Sequence, residues 1–161
     1  MSMMDYIEAS IKSGIGFYIG DPCHVLDNKE IYENWEKKYK YDVGKIESDC
    51  GTWFVYPTAY GSNGEYYDLN GTSYKVDSGT LSVIPLEVVF SHPSDKIMEN
   101  GTVSTEKMKS FGNTVIRNGR ELSCKIEVDE CVFRIIVQMR NENGEWENTF
   151  DTEIDTVGKD D

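Results

Sequence analysis

Five Asn-Gly dipeptides occur in this sequence, at positions 63–64, 70–71, 100–101, 118–119 and 143–144. Asn-Gly suits the two-residue type I′ turn, in which both central residues need a positive φ and which joins antiparallel strands. Several of the dipeptides lie between segments of alternating or β-branched residues, and that combination is a strong local signal for a β-hairpin. The spacing therefore predicts short antiparallel strands joined by tight turns.

The strands are expected in two groups. The first is a meander over residues 52–60, 65–69 and 72–76, followed by a strand over 81–90 that Pro85 interrupts. Proline lacks the backbone N–H of a sheet ladder, so that strand is expected at an edge or bulged. The second group is a four-strand meander over residues 113–117, 120–128, 131–140 and 145–155.

The register of the second group can be tested by side-chain alternation. A two-residue turn at 129–130 would pair Val128 with Cys131 and Cys124 with Ile135, which places the apolar side chains of both strands on one face. In that register Cys124 and Cys131 are too far apart for a disulfide, whose Cα atoms lie within about 7 Å. Both are expected to be buried thiols.

A helix is predicted over residues 27–40. Asp27 can cap it and Glu30 can complete a capping box, while Ile31, Trp35 and Tyr39 recur at helical spacing. Residues 2–12 fit a second, short helix, with Ile7 and Ile11 on one face. The fold class is therefore α+β: one domain over residues 1–156, mainly antiparallel sheet meanders with the 27–40 helix packed on them, and a frayed acidic tail over 157–161.

Charge restricts the partners. The 161 residues include 29 Asp and Glu against 16 Lys and Arg, a formal net charge of −13. This balance argues against direct binding of nucleic acid, which depends on neutralising phosphates, and against a basic face on an anionic membrane. No run approaches the about 18 apolar residues of a membrane span, and no secretory signal is visible. We expect a cytoplasmic protein with reduced thiols.

Polar residues gather where a strand over 15–19 ends at Gly20 and continues as Asp21-Pro22-Cys23-His24. One interpretation is a turn in which Asp21 accepts nearby backbone N–H bonds. The other is a structural zinc site, because zinc takes oxygen, sulfur and nitrogen donors. The candidate metal ligands are Asp21, Cys23, His24, Asp77 and His92, with Cys50 a further possibility.

An enzyme is the less favoured alternative. His24 and His92 are the only ordinary general bases near neutral pH, and no nucleophile elbow or phosphate loop is present. A small metal-dependent hydrolase or a nucleotide-ligand binder would use Asp21, His24 and Asp77. No catalytic residue is assigned.

The acidic residues are concentrated at the end of the chain, where residues 142–161 have eight acids against Lys159. An acidic surface keeps a small domain soluble, which is the simplest explanation. The functional alternative is attraction to a basic partner protein, with binding that weakens in salt. The partner-binding candidates are Glu142, Glu145, Glu147, Asp151, Glu153 and Asp155.

Three segments carry a resemblance: Gly20-Asp21-Pro22-Cys23-His24-Val25, Val76-Asp77-Ser78-Gly79 and Ile84-Pro85-Leu86-Glu87. Over residues 14–90 the chain resembles a group of bacterial and phage proteins with a G-D-P-C-Y-V type start and no established activity; His24 departs from the aromatic residue of that pattern. In composition the chain is also similar to acidic phage inhibitors of CRISPR and restriction effectors. The resemblance implies Asp21 and Asp77 as anchor residues and an origin in a phage or other mobile element, and it assigns no mechanism. Taken together with the acidic charge, it leads us to expect a non-enzymatic counter-defence inhibitor that acts on a basic nucleic-acid-handling protein in the host cytoplasm.

Overall fold

The computed structural model describes residues 7–26, 44–48, 51–57, 64–76, 80–91, 93–117, 119–129 and 132–155. This part of the chain is mainly antiparallel β-sheet with two short α-helices, which confirms the α+β fold class. The helices are α1 (Leu86–Ser91) and α2 (Thr105–Lys109), and a 3-10 turn spans Pro22–His24. The strands are β1 (Ile7–Ser13), β2 (Gly16–Gly20), β3 (Gly44–Ser48), β4 (Gly51–Pro57), β5 (Gly64–Tyr67), β6 (Ser73–Val76), β7 (Thr80–Pro85), β8 (Met98–Glu99), β9 (Thr102–Val103), β10 (Gly112–Ile116), β11 (Leu122–Asp129), β12 (Val132–Arg140) and β13 (Trp146–Asp155).

Two sheets form a sandwich. The outer sheet has the order β1-β11-β12-β13, and the inner sheet has the order β10-β2-β7-β4-β3. Their facing side chains make one apolar core, in which the Phe133 ring meets Phe54 and Tyr56 edge-on at centroid distances of 5.8 and 6.0 Å. Alternation along each strand of the outer sheet leaves its other face mainly with polar and charged side chains, although β12 also places Val132 and Ile136 there.

The inner sheet is covered on both faces. Its second face packs Tyr18, Val55 and Ile84 against Val25, Val89 and other apolar residues of the helices and connecting segments. Every residue of β2 and β7 is consequently buried. A strand buried on both sides has no solvent-exposed face, which explains why neither strand contains a charged residue. The two polar residues of β7, Thr80 and Ser82, are buried as well.

One corner joins the two sheets. β1 pairs with β11 in the outer sheet, β2 pairs with β10 in the inner sheet, and both pairs are antiparallel. At the bend, Arg117 N–H donates to the Ile15 carbonyl at 3.1 Å, while Gly14 N–H donates to a Glu87 carboxylate oxygen at 2.8 Å. The segments 7–20, 112–117 and 119–129 therefore form one long, bent antiparallel ribbon.

The β5–β6 hairpin closes the sandwich beside β13. Its inward side chains, Tyr66, Tyr74 and Val76, belong to the core between the sheets. An antiparallel bridge joins Asp68 to Ile154 on β13, and Leu69 N–H donates to the Thr152 hydroxyl oxygen at 3.2 Å. The hairpin thus continues the outer sheet past its edge strand.

Several sequence predictions are corrected by this topology. β1 is a strand where a short helix was expected, because apolar residues four apart also lie on one face of a strand. β10 belongs to the inner sheet and does not join the C-terminal meander, and β5–β6 does not pair with β4. The strand expected over 81–90 ends at Pro85, and α1 follows it. β7 is also central, and its pairing with β4 stops at Val83, before the proline.

The β11–β12 register differs from the prediction by two residues. Val128 pairs with Phe133 and Cys124 with Val137, so the connection lies at 130–131. The apolar side chains of both strands still lie on one face, as predicted, because a shift of two residues preserves alternation. Cys124 is a buried free thiol, as expected. The 27–40 helix, Cys131 and the 157–161 tail lie outside the described residues.

The three Asn-Gly turns of which the structure describes both residues divide into two kinds. Asn100 and Gly101 both have positive φ, 52° and 80°, and join β8 to β9 as the type I′ expectation requires. At 70–71 and 143–144 only the glycine has positive φ, 85° and 82°. There a preceding side chain, Asp68 or Asn141, accepts two backbone N–H bonds and fixes a wider turn.

Candidate functional site

The Asp21–His24 segment follows directly from the end of β2. Tyr18 donates its hydroxyl hydrogen to the Asp21 carbonyl at 3.0 Å, and Ser82 of β7 donates to the Gly20 carbonyl at 2.6 Å. Asp21 then caps the 3-10 turn, because its Oδ1 accepts from Cys23 N–H at 2.9 Å. Pro22 takes the first position of the turn, where its fixed φ suits the geometry. The turn interpretation is confirmed.

The same turn brings three metal-ligand types together. One ligand atom each from Asp21, Cys23 and His24 lies within 4.8 Å of the other two. Asp21 is 0% exposed and His24 5% exposed, whereas Cys23 is half-buried. Ligands of one tetrahedral zinc ion lie about 3–4 Å apart, given bonds of about 2.0–2.3 Å. The three side chains would therefore have to move closer together to bind one ion.

Phe111 fixes the histidine ring. The rings of His24 and Phe111 stack with centroids 4.5 Å apart and planes 9° from parallel. Phe111 directly precedes β10, whose Gly112 pairs with Gly20, so the sheet register brings the two rings together. Sequence reasoning missed Phe111 because the β2–β10 pairing joins residues about 90 positions apart.

The other two proposed ligands, Asp77 and His92, lie outside the described residues. Nearby, Pro93 forms a bridge with Leu26, and Ser94 N–H donates to the Val25 carbonyl at 2.8 Å. The structure thus unites three of the five proposed ligands in one buried turn.

The six acidic candidates occupy one unbroken segment. Residues 141–155 contain these six acids and no lysine or arginine. Glu142 and Glu145 lie in the turn before β13, and Glu147 lies opposite Met139 beyond a β-bulge. Asp151, Glu153 and Asp155 alternate with buried Thr152 and Ile154, so they point to the outer face. The set therefore divides into a turn group and a strand group.

Two arginines neutralise part of this charge, Arg134 on β12 and Arg120 just before β11. Arg134 donates two hydrogen bonds to Asp151, at 3.1 and 3.3 Å, and lies 3.8 Å from Glu127. The Asp151 carboxylate raises the pKa of this guanidinium above its ordinary value. Arg120 lies 3.6 Å from Glu142. Within the described ranges, no lysine or arginine forms an ion pair with Glu145, Glu147 or Glu153.

Comparison with protein-family models, with curated proteins and with solved structures finds no match to this chain. Within the described part of the chain, no helix is both long enough and apolar enough to cross a membrane. The function must therefore be inferred from the two features above, the 3-10 turn and the acidic segment.

Proposed function

We propose that this protein is a non-enzymatic binding protein that inhibits a basic, nucleic-acid-handling protein. The observation that supports this best is the uninterrupted acidity of residues 141–155, which lie on an ordered turn and on the edge strand of the outer sheet. A partner whose basic channel normally holds phosphates would meet in this segment the carboxylates of the turn group and a fixed row formed by Asp151, Glu153 and Asp155.

Fixed charges suit this role. Carboxylates held by a strand keep their spacing without a further loss of conformational entropy on binding, and their summed field accelerates encounter with a basic surface. The pairing of Arg134 with Asp151 orders the row while cancelling only part of its charge. The resemblance of residues 14–90 to phage proteins supports a counter-defence setting in the cytoplasm of a host cell, with a CRISPR or restriction effector as the target.

Charge reversal tests the proposal. Captures from bacterial lysate with wild-type protein at low and high salt should yield a nucleic-acid-binding protein whose recovery falls as salt rises, since exposed charges are screened. Glu145→Lys with Glu153→Lys should reduce that recovery at least tenfold. Glu99→Lys with Glu106→Lys is the matched control, because both residues belong to the segment covering the opposite side of the inner sheet. The proposal is contradicted if recovery of the partner does not depend on salt concentration. It is also contradicted if the control variant reduces recovery as much as Glu145→Lys with Glu153→Lys.

A metal site is a second candidate function, favoured by the single turn that unites three donor types. Asp21, Cys23 and His24 would hold a zinc ion by oxygen, sulfur and nitrogen, and the half-buried position of Cys23 leaves one side for a fourth ligand. Such an ion would lock the turn to the end of β2. With a free coordination position it would also support the alternative of a metal-dependent hydrolase.

Cobalt substitution tests the site directly. In a Cys50→Ser, Cys131→Ser background, Co²⁺ bound through Cys23 should give a thiolate-to-cobalt absorption band. Elemental analysis of the same protein before cobalt substitution should find about one zinc per chain. Cys23→Ser should abolish the band, and Cys124→Ser should retain it because that thiol is buried in the other core. A band that survives Cys23→Ser would refute the assignment.

A further inference from the structure

We propose that the binding surface includes an apolar patch beside the acidic strand, formed by Tyr67, Leu69 and Val132, and that its partner is a basic amphipathic segment. This inference rests on the proposed function, since it specifies what the acidic surface binds. It adds a contact of a different kind, apolar burial, which charge alone does not predict.

The exposure of large apolar side chains carries the inference. Among the described residues, four large apolar side chains are exposed: Tyr67 at 48%, Leu69 at 72%, Val132 at 37% and Phe90 at 38%. Phe90 lies on α1, which covers the second face of the inner sheet. The other three lie at one end of the outer sheet. Isolated exposed apolar residues are common, whereas a gathered group marks an interaction surface.

Strand register places the three together. Asp68 is bridged to Ile154, and both side chains are buried, so their neighbours point outward. Tyr67 and Leu69 therefore lie on the outer side of the hairpin, next to Asp155 and Glu153. Val132 pairs with Asp155 from the opposite strand. The two carboxylates thus separate Val132 from the hairpin residues.

Hydrogen bonds to Asp68 fix the backbone of the hairpin turn that carries Tyr67 and Leu69. Asp68 accepts hydrogen bonds from Tyr74 Oη at 2.7 Å, from Asn70 N–H at 2.8 Å and from Thr72 N–H at 3.0 Å. Leu69 follows this anchored residue and is the most exposed apolar side chain of the four. Because the backbone of this turn is already ordered, it loses little further entropy on binding, which favours contacts made by the side chains that it carries.

The chemistry of the patch defines its partner. Asp129 faces Val132, and Glu65 lies on the outward side of the hairpin, so carboxylates also border the patch at its ends. Two cations lie among these carboxylates: Arg134 pairs with Glu153, and Lys75 pairs with Glu65. The net charge remains negative, and the apolar side chains lie between the acids. Arginine or lysine side chains alternating with leucine-like residues would satisfy both components.

Two synthetic peptides of equal charge test this surface. One alternates arginine with leucine and the other alternates arginine with serine; binding of each fluorescently labelled peptide is measured by anisotropy at low and high salt. Wild-type protein should bind the arginine–leucine peptide at least tenfold more tightly. Tyr67→Ser with Leu69→Ser should remove that preference, and Val132→Thr, a change of similar shape, should reduce it. Phe90→Ser is the control and should leave the preference intact.

The outcomes separate this inference from the proposed function. If both peptides bind equally in a salt-dependent manner, or if the preference persists in the Tyr67/Leu69 double variant, the apolar patch is refuted while acidic recognition stands. Equal loss in Phe90→Ser also refutes the patch. If neither peptide binds at low salt, both proposals fail. Thermal melting of each variant confirms that the fold is retained.

Discussion

At the scale of single residues, Asp68 and Asn141 show how burial changes the contribution of the same turn motif to stability. Each side chain accepts two backbone N–H bonds in a turn that ends with a positive-φ glycine. Asp68 is buried and also accepts from the Tyr74 hydroxyl, whereas the Asn141 turn is largely open to solvent. The same local motif therefore anchors a hairpin in one place and only shapes a surface turn in the other.

We expect Asp68→Ala to lower the free energy of unfolding by about 2–4 kcal/mol, because it leaves the buried Tyr74 hydroxyl and two N–H groups without an acceptor. Asn141→Ala should cost about 1 kcal/mol or less, since water can replace the lost acceptor. Urea denaturation of the two variants measures the difference. Equal losses would show that burial of Asp68 contributes nothing.

Two buried groups predict loss of stability in alkali. Burial raises the pKa of the Cys124 thiol and, together with Asp68, the pKa of the Tyr74 hydroxyl. Their stabilising contribution is complete below the unfolded values, about 8.5 for Cys and 10 for Tyr, and is lost as pH rises above them. The unfolded chain releases these protons first.

Denaturation between pH 8 and 10 tests the thiol by itself. Wild-type stability should fall by up to about 1.4 kcal/mol per pH unit for this one proton, and the fall should be shallower in Cys124→Ala. Parallel pH profiles for the two proteins would contradict a raised thiol pKa.

At the scale of elements, the contact between β2 and β10 depends on glycine. A Cβ at Gly112 would overlap the carbonyl oxygen of Ile19, and a Cβ at Gly16 would overlap that of Val115. Gly14 differs, because its nearest neighbour would be a Glu87 carboxylate oxygen at 3.8 Å, an ordinary contact. Close approach of the backbones, and not turn geometry, explains the first two glycines.

Gly112→Ala should therefore lower the free energy of unfolding by about 2 kcal/mol or more, since the clash is with backbone that cannot rotate away. Gly14→Ala should change stability by less than about 0.5 kcal/mol. Thermal melting compares the two. A mild effect at Gly112 would mean that β10 is not held against β2 in this register.

Elements were more predictable from the sequence than their arrangement. Alternation located β11 and β12 and assigned Cys124 to the core, because strand period is a local property. The partners of β1 and β10 could not be found, since each pairs with a strand far away in sequence and with no local signal. For the same reason, the sequence could not predict that Phe111 contacts His24. Residues 21–24 were predictable as a cluster because they adjoin in the chain.

At the scale of the whole molecule, the net charge of −13 acts against compactness. Like charges are closer together in the folded chain than in the unfolded one, and self-repulsion therefore favours unfolding. Most described ion pairs are partly exposed and contribute little.

Salt should consequently stabilise this protein. Raising ionic strength from about 0.01 M to 0.15 M shortens the screening length from about 30 Å to 8 Å. We expect the melting temperature to rise by about 2–4 °C, corresponding to roughly 1 kcal/mol. Replacing Glu142, Glu145 and Glu147 with glutamine should raise the low-salt value and reduce the salt response. A melting temperature that falls with salt would show that ion pairs outweigh repulsion.

The bent ribbon at the corner of the sandwich has a consequence for synthesis. Its first half, residues 7–20, is separated by about 90 residues of chain from its second half, residues 112–117 and 119–129. During translation the first half leaves the ribosome long before the second half exists, so β1 lacks its partner strand until β11 emerges. Closing so long a loop is slow. Completion of the outer sheet is therefore a late event, and until then the apolar side of β1 remains available to chaperones.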